Sequence, residues 1–437
     1  MNAQLPPLLD SFRAEFDAAP PADLEGAHLR DARRYALAAA LRDGLPGPRS
    51  EAWKYTSLRA LERRSFVPAP QERVAVDPAL LAEIPAPRLV FVNGHFDAGL
   101  SRIQRLPRGV HLIALSQALH DCDPRECAFM ARRFDGTEEL FPRVNSALAV
   151  DGVMLRATEE SDGAEPVHVV FVGAPADGDR AWNLRHMVEL REQARLTLCE
   201  HILTAGEHAH LANTVMQVKL AAGSRLDHVR IQDEGAGASL IQRTEAALAG
   251  DAVLRRLDLE LGAGLGRHEF NVALRGADAA VHANGVQLAA GRRHNDTRLA
   301  VDHAVPDTRC ELTWRGIGAE RGRAVFHGGI LIRAGADRTD ANLSNKNLLL
   351  SEGAEVDSQP VLEIHADEVK AAHGTTVGQL DPQALFYLRA RGVPAAQARA
   401  ILTAAFCRET LAVIANEALR ELATARLDAA LERLPAP

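Results

Sequence analysis

The sequence predicts a mainly β chain, a stacked β-solenoid flanked by helical regions at its N- and C-terminal ends. Three observations carry this reading. Between about Leu196 and Val377 a loose motif recurs, an apolar residue followed by one or two spacers, Gly and a small or acidic residue: Leu220-Ala-Ala-Gly223, Leu248-Ala-Gly250-Asp, Leu274-Arg-Gly276-Ala, Ile332-Arg-Ala-Gly335 and Leu350-Ser-Glu-Gly353. The segments between are short and alternate, as in Phe270/Val272/Leu274, Leu299/Val301/His303 and Phe326/Gly328/Ile330/Ile332. Short alternating strands joined at glycine corners without intervening helices fit a solenoid better than a βαβ sheet. A hairpin-built β-sandwich is the competing architecture, and the near absence of Asn-Gly and Asp-Gly turns weighs against it.

The flanks read differently. Leu29, Ala32, Ala36, Leu37, Ala40 and Leu41 fall on one face of a helix that Pro46-Gly47-Pro48 ends. Ser50–Thr56 follows, with Trp53 and Tyr55 as anchors for a turn or short helix. The Pro-rich stretch from Pro68 to Pro87 is a connection; Leu89–Val92 before Asn93-Gly94 and Val167–Val172 are strands, and helical residues return around Pro124–Phe134. After the solenoid, Asp381-Pro382 caps a helix over Gln383–Arg391, Gly392 ends it, and Pro394 starts a second, Ala-rich helical stretch to about Leu434. Helices in that place cap the open end of a solenoid or bind a partner. The expected division is 1–75 helical, 76–165 a mixed connecting region, 166–378 the β-helix core and 379–437 helical.

The 437 residues carry 50 Lys+Arg against 58 Asp+Glu, a net charge of −8. No basic excess exists to replace counterions on a phosphate backbone, so nucleic acid is not expected. No apolar run approaches the ~20 residues of a membrane span. The first residues lack a basic, apolar and small-residue leader, and the expected compartment is the cytoplasm. Five cysteines (122, 127, 199, 310 and 407) include no C-x-x-C pair, which points to reduced thiols rather than a disulfide framework or a closed zinc site.

The sequence holds few candidates for chemistry. No phosphate loop, G-x-S-x-G elbow or H-E-x-x-H motif is present. Gly262-Ala-Gly264-Leu-Gly266 opens no helix and reads as a solenoid corner. His208-Ala-His210, with His201 close in sequence, places imidazoles on one strand face where they could hold a divalent ion. His294, Asp296, Asp302 and His303 offer carboxylates on strands, the equipment of a β-helix carbohydrate-active enzyme, which stands as the alternative function. Cys122 and Cys127 beside Arg132 and Arg133 are candidates for an activated thiolate.

The specific signal lies near the end of the chain. Ser344-Asn-Lys-Asn-Leu-Leu-Leu-Ser351, Glu352–Pro360, Leu362–Lys370, Ala371-Ala-His373-Gly-Thr-Thr-Val-Gly378 and Leu385–Gly392 closely resemble the SufB/SufD family of iron–sulfur cluster assembly proteins. Glu51-Ala-Trp53-Lys54-Tyr55-Thr56 and Gly322–Ile330 agree with it. The aromatic N-terminal segment and the length favour the SufD branch.

That resemblance implies a right-handed parallel β-helix with helical flanks and a non-catalytic scaffold subunit of the SufBCD complex. It implies pairing with SufB through the β-helix ends and docking of the SufC ATPase, which carries the nucleotide site, on the C-terminal helices. On this side of the interface the implicated residue is the His of Lys-x-x-His-Gly, here His373, as a ligand to iron or a nascent, transient cluster shared with SufB. Many relatives carry Cys two residues earlier; here Ala371 stands there, so ligation from this chain rests on His373. Cys407, on a helix committed to packing, is a poor substitute. Phe386, Tyr387 and Leu388 are the candidate SufC contacts, and a homodimer is a further expectation for the isolated chain.

Overall fold

The computed structural model describes residues 5–18, 27–47, 49–70, 74–121 and 127–434. Eight helices are α1 (Pro7–Ala18), α2 (Ala27–Asp43), α3 (Arg59–Glu62), α4 (Leu115–Asp121), α5 (Leu140–Leu148), α6 (Pro382–Ala390), α7 (Ala395–Arg408) and α8 (Glu417–Glu432). The early strands are β1 (Val67–Pro68), β2 (Arg88–Val92), β3 (His95–Phe96), β4 (Val110–Ala114), β5 (Val153–Ala157), β6 (Val167–Gly173) and β7 (Arg180–Leu190). A long regular series then follows: β8 (Arg195–Thr204), β9 (His210–Leu220), β10 (Arg225–Asp233), β11 (Ala238–Leu248), β12 (Val253–Glu260), β13 (Leu265–Leu274) and β14 (Ala280–Ala289). It ends with β15 (His294–His303), β16 (Arg309–Gly318), β17 (Arg323–Ile332), β18 (Asp340–Leu349), β19 (Glu355–Ile364) and β20 (Lys370–Gly378).

From β5 onward consecutive strands alternate between two sheets, and from β7 onward each pairs in parallel with the strand two before it; β2–β3 and β4–β5 pair antiparallel. One sheet runs β19-β17-β15-β13-β11-β9-β7-β5-β4 and the other β20-β18-β16-β14-β12-β10-β8-β6-β2-β3. Leu211, Ser239, Leu265, His294, Arg323 and Glu355 therefore stack one above another up the first sheet. This is the expected parallel β-helix, and regular pairing already begins at β2 and β5, upstream of 166.

The glycine corners have a steric cause. A Cβ on Gly276 would come 2.0 Å from the backbone nitrogen of Gly250, so successive corners stack too closely for a side chain. Gly264 would likewise meet the Ala236 carbonyl at 2.2 Å, which confirms the solenoid-corner reading of that glycine run.

Inward positions of most turns are apolar; Phe270, Val272, Leu274, Leu299, Val301, Phe326, Ile330 and Ile332 form one buried core inside the tube. The helical flanks cover the outside. Leu8, Leu9, Phe12, Leu37, Trp53, Phe141 and Val144 pack on Ala181, Leu211 and Ile241 of the first sheet. Against the second sheet, Cys407, Leu411, Ile414, Leu419, Ala423 and Leu427 bury Val229, Ile231, Leu257, Leu259, Val286 and Ile317. Each fully buried aliphatic chain contributes about 1.5–3 kcal/mol, which makes this flank an integral part of the fold.

Two expectations change here. The Ala-rich stretch after Pro394 is not continuous: a 3₁₀ turn (Glu409–Val413) and an Asn416 cap separate α7 from α8, because the helices must fold back to lay two apolar faces on one sheet. Nor do these helices cap the solenoid end; they lie along its side. Around 124–134 the described helical residues are a 3₁₀ turn, Ala128–Ala131, while Cys122 and Pro48 lie outside the described residues.

Candidate functional site at the open end of the β-helix

β19 and β20 are the last strands of their sheets, each paired on one side alone. Their residues are exposed or half-buried throughout, in contrast with the sealed strands before them. An uncovered strand edge presents unpaired N–H and C=O groups, a template for another chain. Pro360, on β19, removes one donor from that edge.

His373 sits on β20 opposite Leu343 of β18, whose side chain belongs to the inner core. Since residues two apart share a face, His373 is on the lumen side together with Ala371 and Thr375. Thr375 confirms this, because its hydroxyl pairs with that of Ser358 across the lumen at 2.7 Å. His373 is exposed there, at the mouth of the tube. Ala371, half-buried against the core, carries no ligand atom.

A few residues on, Asp381 accepts a hydrogen bond from the Gln383 N–H and starts α6. Gly392, at φ +88°, ends it, as expected. Among the residues of α6 none is buried; Phe386 is 73% and Tyr387 59% exposed, while Leu388 is half-buried. Arg391 lies over the Tyr387 ring, 5.2 Å from its centroid. Two adjacent aromatics open to water cost hydrophobic free energy that a partner would recover.

The other candidates are placed otherwise. Asp296 is buried, bound by Arg267 and by the Thr56 hydroxyl, and Asp302 pairs with Arg333 at the surface. Six residues apart on one strand, they stand roughly 20 Å from each other, too far to flank a glycosidic bond. The carbohydrate-enzyme alternative loses its residues. His210 bonds His208 at 2.9 Å and Glu234 at 2.8 Å, whereas His201 is elsewhere, on the outer face of β8. Arg132 pairs with Glu245 and Arg133 stacks on Tyr35, so neither is committed to a thiolate near buried Cys127. Burial pushes the Cys310 and Cys407 thiols up to about 12.

Sequence reasoning missed a charged lumen. His228, Arg230, Arg256, Asp258, Glu260 and His268 are all buried inside the tube, with Arg256 held bidentately by Asp258 at 2.8 and 2.9 Å. The signal available is the alternation itself, which does not say which face is inside. Val229, Ile231, Leu257 and Leu259 look like core residues, and they are, but their core lies outside the tube against the C-terminal helices.

The fold is a parallel β-helix with an open terminal rung and helical flanks, one of which exposes an aromatic pair. The model of the SufBD core domain of the SUF iron–sulfur cluster assembly system matches residues 171–406, and that of the SufBD N-terminal region matches 22–169. The chain belongs to the SufB/SufD family of iron–sulfur cluster assembly proteins. It is 30% identical over 403 residues to the iron–sulfur cluster assembly protein SufD of Escherichia coli, covering 90% of each chain. A SufBD family protein of Synechocystis is 28% identical over 84% of this chain and 83% of its own, and one of Mycobacterium tuberculosis 33% over 67% and 73%. No helix among the described residues is long and apolar enough to cross a membrane.

Proposed function

We propose that the chain is a non-catalytic scaffold subunit of iron–sulfur cluster assembly. Its open rung at β19 and β20 pairs with a SufB-type subunit, extending the solenoid by strand addition. The SufC-type ATPase docks on α6 through Phe386, Tyr387 and Leu388, and the nucleotide belongs to that partner. His373, at the mouth of the lumen, offers an imidazole nitrogen to iron or the nascent cluster as the subunits' cargo, with sulfur ligands supplied by the SufB side because Ala371 has none. ATP-driven closure of two SufC copies pulls on the C-terminal helices and rearranges the interface. The observation that carries this reading is the unpaired, exposed terminal rung of a sheet whose other strands are sealed.

Co-expression tests it. The tagged chain, its SufB and its SufC are weighed together by native mass spectrometry, with the intact chain and with Phe386→Ala/Tyr387→Ala. The expected result is a three-component complex that loses SufC and keeps SufB in the variant. His373→Ala should assemble normally and form less cluster on reconstitution. A chain that remains alone or pairs with itself in the presence of both partners overturns the scaffold assignment.

A further inference from the structure

The outer face of the second sheet is aliphatic along most of its length, where Val229, Ile231, Leu257, Leu259, Val286 and Leu288 meet the C-terminal helices. At β6 and β8 three side chains able to bind a metal meet on this face. His168 on β6 stands in register with Cys199 on β8, and His201 follows two residues on, on the same face. One ring nitrogen from each histidine and the Cys199 sulfur all lie within 4.8 Å of one another, and all three residues are buried. His168 Nδ1 and His201 Nε2 are 3.0 Å apart, one donating to the other, while His201 Nδ1 has no hydrogen-bond partner.

From this geometry we infer a structural metal site of the His₂Cys type, selective for an ion that prefers tetrahedral N/S coordination, Zn²⁺ first. Two nitrogens on such an ion stand roughly 3.3 Å apart, so the imidazoles need to part by a few tenths of an ångström. A thiolate with two imidazoles selects zinc over the oxygen-seeking Mg²⁺ and Ca²⁺. Without an ion the two facing nitrogens have one hydrogen bond between them, and the Cys199 sulfur lies beside that pair in a buried pocket.

The surroundings are compatible with it. The two nearby cations are engaged. Arg88 donates to the carbonyls of Leu81, Ile84 and Leu100, and Arg426 of α8 pairs with Glu83 at 3.0 Å. Glu200, on the opposite face of β8, is the nearby anion. Binding breaks the hydrogen bond between the imidazoles, moves its proton to the donor ring's other nitrogen, forms two metal–nitrogen bonds and one metal–sulfur bond, and releases the Cys199 proton to water; no electron moves. Cys199 packs in one cluster with Leu419, Ala423 and Leu427 of α8, so the ion would fasten β6 to β8 beneath the last helix.

This site shares no residue with the open end, and its test is independent of SufB and SufC. The full-length chain is expressed with zinc in the medium, gel-filtered, and its metal content measured by mass spectrometry. A chelator-stripped sample is then titrated with Co²⁺. We expect about one zinc per chain and a thiolate-to-cobalt charge-transfer band in the near ultraviolet. Both should be lost in Cys199→Ala and reduced at least tenfold in affinity in His201→Gln. Both should be retained in Cys310→Ala and His373→Ala. Chelation should lower the melting temperature of the wild type and leave Cys199→Ala, already without metal, unmoved. Wild-type protein that carries no zinc and gives no cobalt band, or metal content indifferent to Cys199→Ala, overturns the inference.

Discussion

The guanidinium of Arg267 lies 3.8 Å from the ring centroid of Trp53. One residue is on strand β13 of the solenoid and the other in the short aromatic segment after α2, so this contact binds the N-terminal helical flank to the tube. Both are buried; Arg267 also pairs with Asp296 and, at 2.6 Å, with Glu269, and Trp53 packs against Phe141 at 5.6 Å. Thr56 adds a hydroxyl bond to Asp296. Deleting the indole leaves a cavity and exposes a buried cation to its loss of packing. Trp53→Ala should therefore cost about 3–5 kcal/mol. Thermal melts combined with limited proteolysis check it, with the N-terminal flank cleaved first. An unchanged melt would mean the segment is not an anchor.

Exposure makes the opposite prediction for α6. Phe386 and Tyr387 touch little within the chain, so Phe386→Ala/Tyr387→Ala should leave the melting temperature unchanged. As the proposed centre of an interface, the pair should weaken ATPase binding by at least tenfold. Calorimetry against the isolated ATPase gives the number. Equal affinities would move the docking surface elsewhere.

Much of the fold was legible because its cause is local. Gly276 and Gly223 sit where stacked corners exclude a Cβ or require a positive φ, and alternation of Phe270, Val272 and Leu274 needs no knowledge of distant residues. What was hidden depends on register between turns. His168 and His201 meet because one turn of the tube brings them together, whereas the sequence suggested that His201 would join its neighbours His208 and His210. Hidden as well was which face of a strand is inside. With helices outside both sheets, an apolar residue finds a core on either side, and Arg230 or Glu260 reads as a solvated position although it faces the lumen. The position of His373 at the mouth followed from a resemblance; spacing alone could not have told the last rung from any other.

Histidines buried neutral set the acid limit of stability. His186 accepts a hydrogen bond from the Val153 N–H at its Nδ1, 2.9 Å away, and packs on Phe171 in a tilted arrangement with centroids 5.0 Å apart. Burial, opposed by Glu200 and aided by Arg185, pushes it down to about 4. The unfolded chain takes up a proton near 6.5, the folded one not until about 4, so stability present above the unfolded value is lost as pH falls between them. The span from 6.5 to about 4, at about 1.4 kcal/mol per pH unit, caps this group's contribution at roughly 3.5 kcal/mol. His186→Asn, which keeps an acceptor for Val153, should be less stable at pH 7.5 yet lose less between pH 7 and pH 5. Denaturant titrations at both pH values decide it; parallel curves would exclude His186 as a contributor.

Glu260 sets a limit on the other side. Its Oε2 accepts from the Thr297 hydroxyl at 2.5 Å, but Oε1 has no hydrogen-bond partner and Arg230 stays 3.5 Å away. Burial is the main cause that holds this carboxyl up at about 7, with Asp258 and Asp296 adding to it against the pull of Arg230. Here the folded value lies above the unfolded one, near 4.5. The protonated form therefore favours folding fully below 4.5, and that contribution disappears as pH rises through 7, a span worth about 3 kcal/mol. Glu260→Gln stays neutral at every pH and keeps a carbonyl oxygen for Thr297. Relative to wild type, the variant should gain stability between pH 5 and pH 8, read from urea midpoints at equal slopes. If wild type and variant instead keep a constant difference over that range, Glu260 is already ionised at pH 5 and the Arg230 attraction outweighs the burial of its charge.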